Sequence, residues 1–319
     1  MKPLVYLTRR IPEQGINILR KQGYKLAINP LDKPVARATI LREIANADAL
    51  LCMLSDQIDR EVIDAGRNLK VISTYAVGVD NIDVICASKK GIIVTNTPGV
   101  LTEATAEVTW ALLFACARRV TEADRYVRAG RFKVWGPTLL LGRLIGGKTL
   151  GIIGAGRIGQ SVGRKARAFG MKVLYFNRSK EPEFEKQTSA RKTSLKQLLR
   201  KSDFITLHLP LTRDTKHFIK LKEFRMMKQT AFFINVARGP IVREADLAYA
   251  LKHNIIAGAG LDVYENEPKV HPGLLKLDNV TLLPHLGSAT VESRTRMAEI
   301  AAENIVAVLQ GRKPLFRVT

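Results

Sequence analysis

Four short stretches of the sequence carry residue types that together can move a hydride and a proton: GAGRIG at 154–159, NVARGP at 235–240, LDVYENEP at 261–268 and LLPHLGSAT at 282–290. The first has the chemistry of a pyrophosphate cradle. Gly154 permits a tight turn, Gly156 lets the backbone approach the anion, and Gly159 lets helix and strand pack closely. Arg157 and Ile158, between the glycines, open a helix whose N-terminal N–H dipoles favour negative charge. The other three stretches supply a guanidinium, Arg238, a carboxylate, Glu267, and an imidazole, His285. Reducing a carbonyl beside a carboxylate needs a cation to hold the carboxylate and an acid to protonate the oxygen as hydride arrives. It also needs a group that orients and charges that acid. Arg238, His285 and Glu267 fit those tasks in that order. A histidine at a strand end is by itself more often structural than chemical. His217, His253 and His271 are read that way, as is His208, although its nearness to a cofactor motif leaves its role open.

These residues need a scaffold that delivers them to one edge. Short β-branched runs alternate with longer helical patterns in two blocks, which predicts parallel sheets covered by helices. In the first block LVYLT, KLAI, ALLCML, VISTYA and IIVTN are strand candidates. In the second, TLGIIG, KVLYF, FITLHL, AFFINV, IAGAGLDV and NVTLLP supply six more, enough for a dinucleotide-binding sheet. The glycine loop follows the first of these six, and the other three motifs lie at or past the ends of later ones, where open α/β sheets place ligands. Thr102 is a plausible N-cap for an apolar helix to Ala117. Met297, Ile300, Ala301, Ile305, Val308 and Leu309 mark a last helix stopped by Gly311 and Pro314. That last segment is too short for a domain of its own and should return to the first block. The expected fold is α/β: two Rossmann-like or flavodoxin-like parallel-sheet domains, with the nucleotide domain (99–285) inserted into a discontinuous substrate domain (1–98 and 286–319).

The second strand of the nucleotide block ends near Asn177, Arg178, Ser179 and Lys180, where a carboxylate would bind the ribose 2′-hydroxyl of NAD. No carboxylate stands among these four, and a guanidinium and short polar side chains suit a 2′-phosphate, so NADP(H) is the expected cofactor with NAD(H) as the alternative. The formal charge of +22 favours anionic ligands in general. Its basic residues are dispersed and aromatics make up only 6%, which argues for a solvated basic surface rather than a specific nucleic-acid site. Cys52, Cys86 and Cys116 each sit in an apolar run and read as small buried hydrophobes of a reducing compartment, with no zinc spacing. No apolar run approaches the roughly 20 residues that span a bilayer. A cytoplasmic protein without metal or membrane partner is the expectation. Backbone N–H groups around Val77 and Gly78, in a glycine-containing turn after a strand, form a second candidate carboxylate site.

Read end to end, the sequence resembles the D-isomer-specific 2-hydroxyacid dehydrogenase family, most closely its glyoxylate and hydroxypyruvate reductase branch. The resemblance rests on MLSDQID from Met53, YAVGVDNID from Tyr75, TNTPGVLTEATAE from Thr95, GKTLGIIGAGRIG from Gly147, HLPLTRDT from His208, NVARGP, GLDVYENEP and PHLGSAT. It implies Arg238, Glu267 and His285 as the catalytic trio, with substrate contacts at Leu54, Ser55, Val77 and Gly78. It further implies cofactor contacts at Thr105, Pro210, Thr215, the Val236 carbonyl, Asp262, His285, Gly287 and Ser288. Asp262 is chemically suited to accept from a carboxamide. The long connection 120–145 resembles the family's dimerisation arm, and Trp135 in VWGP resembles a tryptophan that reaches the partner's active site, so a homodimer is implied. The implied reaction is reduction of glyoxylate or hydroxypyruvate to the 2-hydroxy acid. Alternatives are another D-2-hydroxyacid or phosphite dehydrogenase, or a nucleotide-sensing, corepressor-like binding protein on the same fold.

Overall fold

The computed structural model describes residues 2–319, which divide into two compact units: the chain up to Leu101 together with Ala289–Thr319, and Thr102–Ser288. These divisions lie three residues beyond the expected ones. The discontinuous unit holds β1 (Leu4–Leu7), β2 (Lys25–Ile28), β3 (Ala49–Cys52), β4 (Val71–Thr74) and β5 (Ile93–Thr95) in one parallel sheet of order β2-β1-β3-β4-β5. Alternate side chains serve opposite faces, as strand geometry requires. Tyr6, Leu50 and Ile72 pack with Ile40, Ile44, Val62 and Ile63 of two helices. Val5, Leu7, Leu51 and Val71 pack on the other face with Ile16, Leu19, Ala298, Ala301 and Ile305.

The last three of these residues belong to the terminal helix Val291–Leu309, which starts at Thr290, whose hydroxyl accepts from the Ser293 amide at 3.0 Å. Gly15 lets this helix press against the helix Glu13–Lys21. A Cβ there would stand 2.5 Å from the Ala298 carbonyl oxygen. After the helix the chain runs back along β5, where the Val318 amide donates to the Val94 carbonyl.

The inserted unit holds β6 (Thr149–Ile153), β7 (Lys172–Phe176), β8 (Arg191–Lys192), β9 (Phe204–Leu207), β10 (Phe232–Asn235), β11 (Gly258–Leu261) and β12 (Val280–Leu282), parallel throughout, in the order β12-β11-β10-β9-β6-β7-β8. The order reverses direction between β6 and β9, the position where such sheets bind nucleotides. One face is covered by Ala106, Trp110 and Leu113 of the helix Thr102–Ala117 and by Val162 and Ala166 of the helix Arg157–Ala168. The other is covered by Leu198 and Leu199 and by Leu247 and Leu251 of two further helices. The seventh strand, β8, is absent from the sequence reading. It has two exposed basic residues, paired with Leu174 and Tyr175 of β7, and no apolar pattern to announce it. Thr102 is the first helical residue rather than a residue outside the helix. The three cysteines are buried and free, and among the described residues no helix is long and apolar enough to cross a membrane.

Because Ile305 is fully buried against β-strands some 230 or more residues earlier, Ile305→Ala should destabilise the discontinuous unit by about 2–5 kcal/mol. Urea unfolding followed by amide exchange checks this. Protection should fall in β1, β3 and β4, and unchanged protection there would contradict the packing.

Candidate active site

Three neighbouring strands of the inserted unit, β10, β11 and β12, end at the same level, with Asn235 beside Leu261 and Leu261 beside Leu282. The loops that follow carry Arg238, Glu267 and His285. His285 Nδ1 lies 2.9 Å from Glu267 Oε2. A carboxylate only accepts, so Nδ1 carries the hydrogen of this bond, and Nε2 at the opposite edge of the ring is the nitrogen turned away from Glu267. The other oxygen of Glu267 accepts from the Tyr264 amide at 2.9 Å. Burial pushes the Glu267 carboxyl up, but the His285 bond and charge, the Tyr264 amide and the Arg238 charge together hold it below the ordinary carboxylate value.

His285 itself has φ +57°, a left-handed conformation uncommon outside glycine. Its loop is held there by Asp262: the His285 amide donates to the Asp262 carbonyl at 3.0 Å, and the amides of Leu286 and Gly287 donate to the two carboxylate oxygens at 2.6 and 2.8 Å. Asp262 is 1% exposed, and its side chain serves the histidine's loop. Burial raises its carboxyl, against the pull of the amides and His285. Thr105, also expected at the cofactor, is buried and donates to the Gly287 carbonyl at 3.0 Å, securing the same loop from the helix Thr102–Ala117.

Arg238 leaves a turn shaped by Asn235, whose side chain accepts from the Ala237 amide at 3.0 Å and donates to the Arg238 carbonyl at 3.2 Å. The next residue must be glycine, since a Cβ on Gly239 would lie 1.8 Å from the Tyr264 carbonyl carbon and oxygen. The loops of Arg238 and Glu267 therefore meet backbone to backbone. A second fastening stands beside that contact. Glu265 Oε2 accepts from the Glu244 amide at 3.0 Å while Glu244 Oε1 accepts from the Glu265 amide at 2.5 Å. Glu244 Oε2 accepts from the His271 amide at 3.2 Å, and His217 Nε2 lies 2.5 Å from Glu265 Oε1. Glu244 is 4% exposed and burial raises its carboxyl. Sequence reasoning missed Glu244, Glu265 and Asn235, while His217 and His271 have structural bonds, in keeping with their reading as structural. Their partners are 21 to 48 residues away or on the main chain, so no local spacing exposes them.

At the reversal of strand order, Gly154 has φ +97°, and a Cβ on it would meet the His208 carbonyl at 2.8 Å. Gly156, before the helix Arg157–Ala168, has open space where a Cβ would be, and a Cβ on Gly159 would lie 2.1 Å from the Gly154 oxygen. His208 has both ring nitrogens buried and unpartnered, and burial lowers its pKa to about 3, so the ring is neutral. An open backbone cradle at a helix N-terminus beside an orphaned buried donor–acceptor fits a dinucleotide pyrophosphate. Thr215 stitches its own turn, its hydroxyl donating to the Pro210 carbonyl at 2.7 Å. Val236 is buried just past β10, and Ser288 is half-buried beside Gly287.

Asn177, Arg178, Ser179 and Lys180 follow β7 as expected, with no carboxylate among the four, but the next residue, Glu181, folds back and accepts from Asn177 and Ser179. In the discontinuous unit, Leu54 and Ser55 lie in a turn fixed by buried Asp56, which accepts from the Met53 amide and the Thr8 hydroxyl. The Val77 carbonyl, one residue before Gly78, accepts from Asn96 at 2.8 Å. Trp135 lies in the non-helical stretch after the helix Val120–Arg128 and is 75% exposed. Among the described residues no three His, Cys, Asp or Glu side chains converge to hold a metal.

Residues 110–287 match the family described as D-isomer specific 2-hydroxyacid dehydrogenase, NAD binding domain. A glyoxylate reductase of Thermococcus kodakarensis is 49% identical over 318 residues, 98% of this chain and 95% of the relative. One of Korarchaeum cryptofilum is 49% identical over 317 residues with the same coverage. The crystal structure of a glyoxylate reductase from Paecilomyes thermophila superposes with TM-score 0.88 at 35% identity, covering 99% of this chain and 98% of that one. An NADPH-dependent glyoxylate/hydroxypyruvate reductase from Sinorhizobium meliloti, solved with NADP and malonate, gives 0.86 at 29% identity over 100% and 97%. A likeness that spans both units at this identity leaves one conclusion: the chain belongs to the D-isomer-specific 2-hydroxyacid dehydrogenase family.

Proposed function

We propose that this protein reduces glyoxylate and hydroxypyruvate to glycolate and D-glycerate, with NADP(H) preferred and NAD(H) accepted. The observation that carries the reading is the His285–Glu267 bond of 2.9 Å with the Arg238 charge acting on the same carboxylate. A bound nicotinamide supplies the hydride. His285, oriented by Glu267, gives its Nε2 proton to the carbonyl oxygen, so that the hydride and one proton convert C=O into CH–OH. Arg238 holds the substrate carboxylate through its planar fork, which a lysine does not reproduce. The left-handed backbone at His285 is compensated by four fastenings from Asp262 and Thr105, which fixes the ring before substrate arrives.

The same reading carries Leu54, Ser55, Val77 and Gly78 as substrate contacts. It assigns Arg178 to a 2′-phosphate and places Gly154, Gly156, Arg157, Ile158 and Gly159 at the pyrophosphate, with Pro210, Thr215, Val236, Gly287 and Ser288 along the cofactor. Three free buried thiols suit a reducing compartment, and we place the reaction in the cytoplasm. We also assign the segment 120–145 to a homodimer interface. Phe132, Val134, Trp135, Leu141 and Leu144 are all more than half exposed, an apolar set that a partner would cover.

Oxidation of NADPH and NADH with glyoxylate, hydroxypyruvate and pyruvate tests the reading. His285→Ala should lower kcat/KM by about a thousandfold while cofactor affinity stays within about threefold. No turnover of any substrate by the wild type, despite cofactor binding, would move the weight to a nucleotide-sensing role. Because the Glu267 carboxyl is held low, the stability of its ionised form is complete above the ordinary value of about 4.3 and is lost as pH falls through the lowered folded value. The stability gap between wild type and Glu267→Gln, measured by urea unfolding, should therefore narrow on acidification; a gap that widens would reverse the assignment. For the interface, sedimentation should give twice the chain mass for the wild type and a monomer for Trp135→Asp combined with Leu144→Asp. A double variant that stays dimeric would place the interface elsewhere.

A further inference from the structure

Glu181 directly precedes the helix Pro182–Thr188, five residues after β7 ends. Its Oε1 accepts from Asn177 Nδ2 at 2.8 Å and from Ser179 Oγ at 2.7 Å, and its Oε2 accepts from Gln160 Nε2 at 3.3 Å. The same Gln160 nitrogen donates at 2.9 Å to the carbonyl of Ala155, inside the glycine loop. The Glu181 amide donates to the buried Tyr175 hydroxyl at 2.9 Å. The carboxylate is thus fixed between the phosphate loop and the tip of β7, and it consumes the polar hydrogens that a 2′-phosphate would use. None of these partners neutralises it. Lys180, its neighbour in sequence, pairs with Glu185 at 3.3 Å, and Lys192 donates to the Arg178 carbonyl at 2.9 Å.

We propose that Glu181 sets the choice between the two nicotinamide cofactors. This rests on the dinucleotide site of the proposed function and adds a residue to it. The carboxylate accepts from a ribose 2′-hydroxyl and repels a 2′-phosphate, opposing Arg178 and Lys180. The opposition holds the NADPH preference to a modest ratio, so that NADH remains a working cofactor. Gln160 ties this setting to the pyrophosphate loop, so the adenosine and phosphate halves of the site are positioned together.

The test is equilibrium binding, independent of turnover. Dissociation constants for NADPH, NADH and the fragments adenosine 2′,5′-bisphosphate and AMP are measured by calorimetry for the wild type, Glu181→Gln and Glu181→Ser. The ratio Kd(NADH)/Kd(NADPH) should rise about tenfold in both variants, and the fragment ratio should rise in parallel, because removing one charge near a phosphate removes a repulsion. Glutamine keeps an oxygen for Asn177 and Ser179, and serine removes it, so agreement between the two assigns the effect to charge. Ratios within twofold of wild type in both variants, with the wild type binding dinucleotide, would overturn the role of Glu181 and leave the dinucleotide site standing. A wild type that binds neither dinucleotide would overturn both.

Discussion

The chemistry of the inserted unit depends on the register of three adjacent parallel strands. With Asn235, Leu261 and Leu282 side by side, the loops after β10, β11 and β12 emerge together, and the guanidinium, carboxylate and imidazole come from three separate stretches of chain. A shift of one residue in any strand would turn its side chains to the other face of the sheet. The register is protected by the apolar content of the strands. Phe233, Ala259 and Leu261 serve one cluster and Phe232 and Ile234 the other, so slippage would expose both faces.

Past the strand ends, order is maintained by carboxylates bonded to main-chain amides. Asp262 holds the amides of 286 and 287, Glu265 and Glu244 hold each other's loops, and Glu267 holds Tyr264 while it bonds the His285 ring. Carboxylates drawn away from water are costly unless their oxygens are used, and here every oxygen of the four has a partner. The opposing pulls on Glu267 and Asp262 reflect one design. Asp262 is buried, whereas Glu267 is partly exposed and bonds the His285 ring directly, and Glu267 alone is driven below its ordinary value while Asp262 is driven above.

Much of this was legible in the sequence, for identifiable reasons. Eleven strands announced themselves by apolar or alternating runs, and the glycine loop by its place between a strand and a helix. Arg238, Glu267 and His285 stood out through the motifs around them. What stayed hidden was long-range or polar. β8 has no apolar residue. Asp262 and Thr105 stood out, yet their partners proved to be the main chain of 286–287, which no spacing reveals. Glu181 lies beyond the strand tip in sequence, and only the turn carries its side chain back to Asn177.

The discontinuous unit has a consequence for how the protein is made. Its core needs Ala298, Ala301 and Ile305 from the terminal helix against Val5, Leu7, Ile16 and Leu19 from the opening segment. A ribosome adding 5–20 residues per second spends on the order of ten seconds or more on the intervening 102–288. During that time one face of the first sheet has only the helix Glu13–Lys21 and lacks the terminal-helix part of its cover, while the inserted unit has every strand it needs once β12 has emerged. The later-encoded unit is therefore the first able to fold to completion, and the first sheet reaches its full core only when the terminal helix arrives.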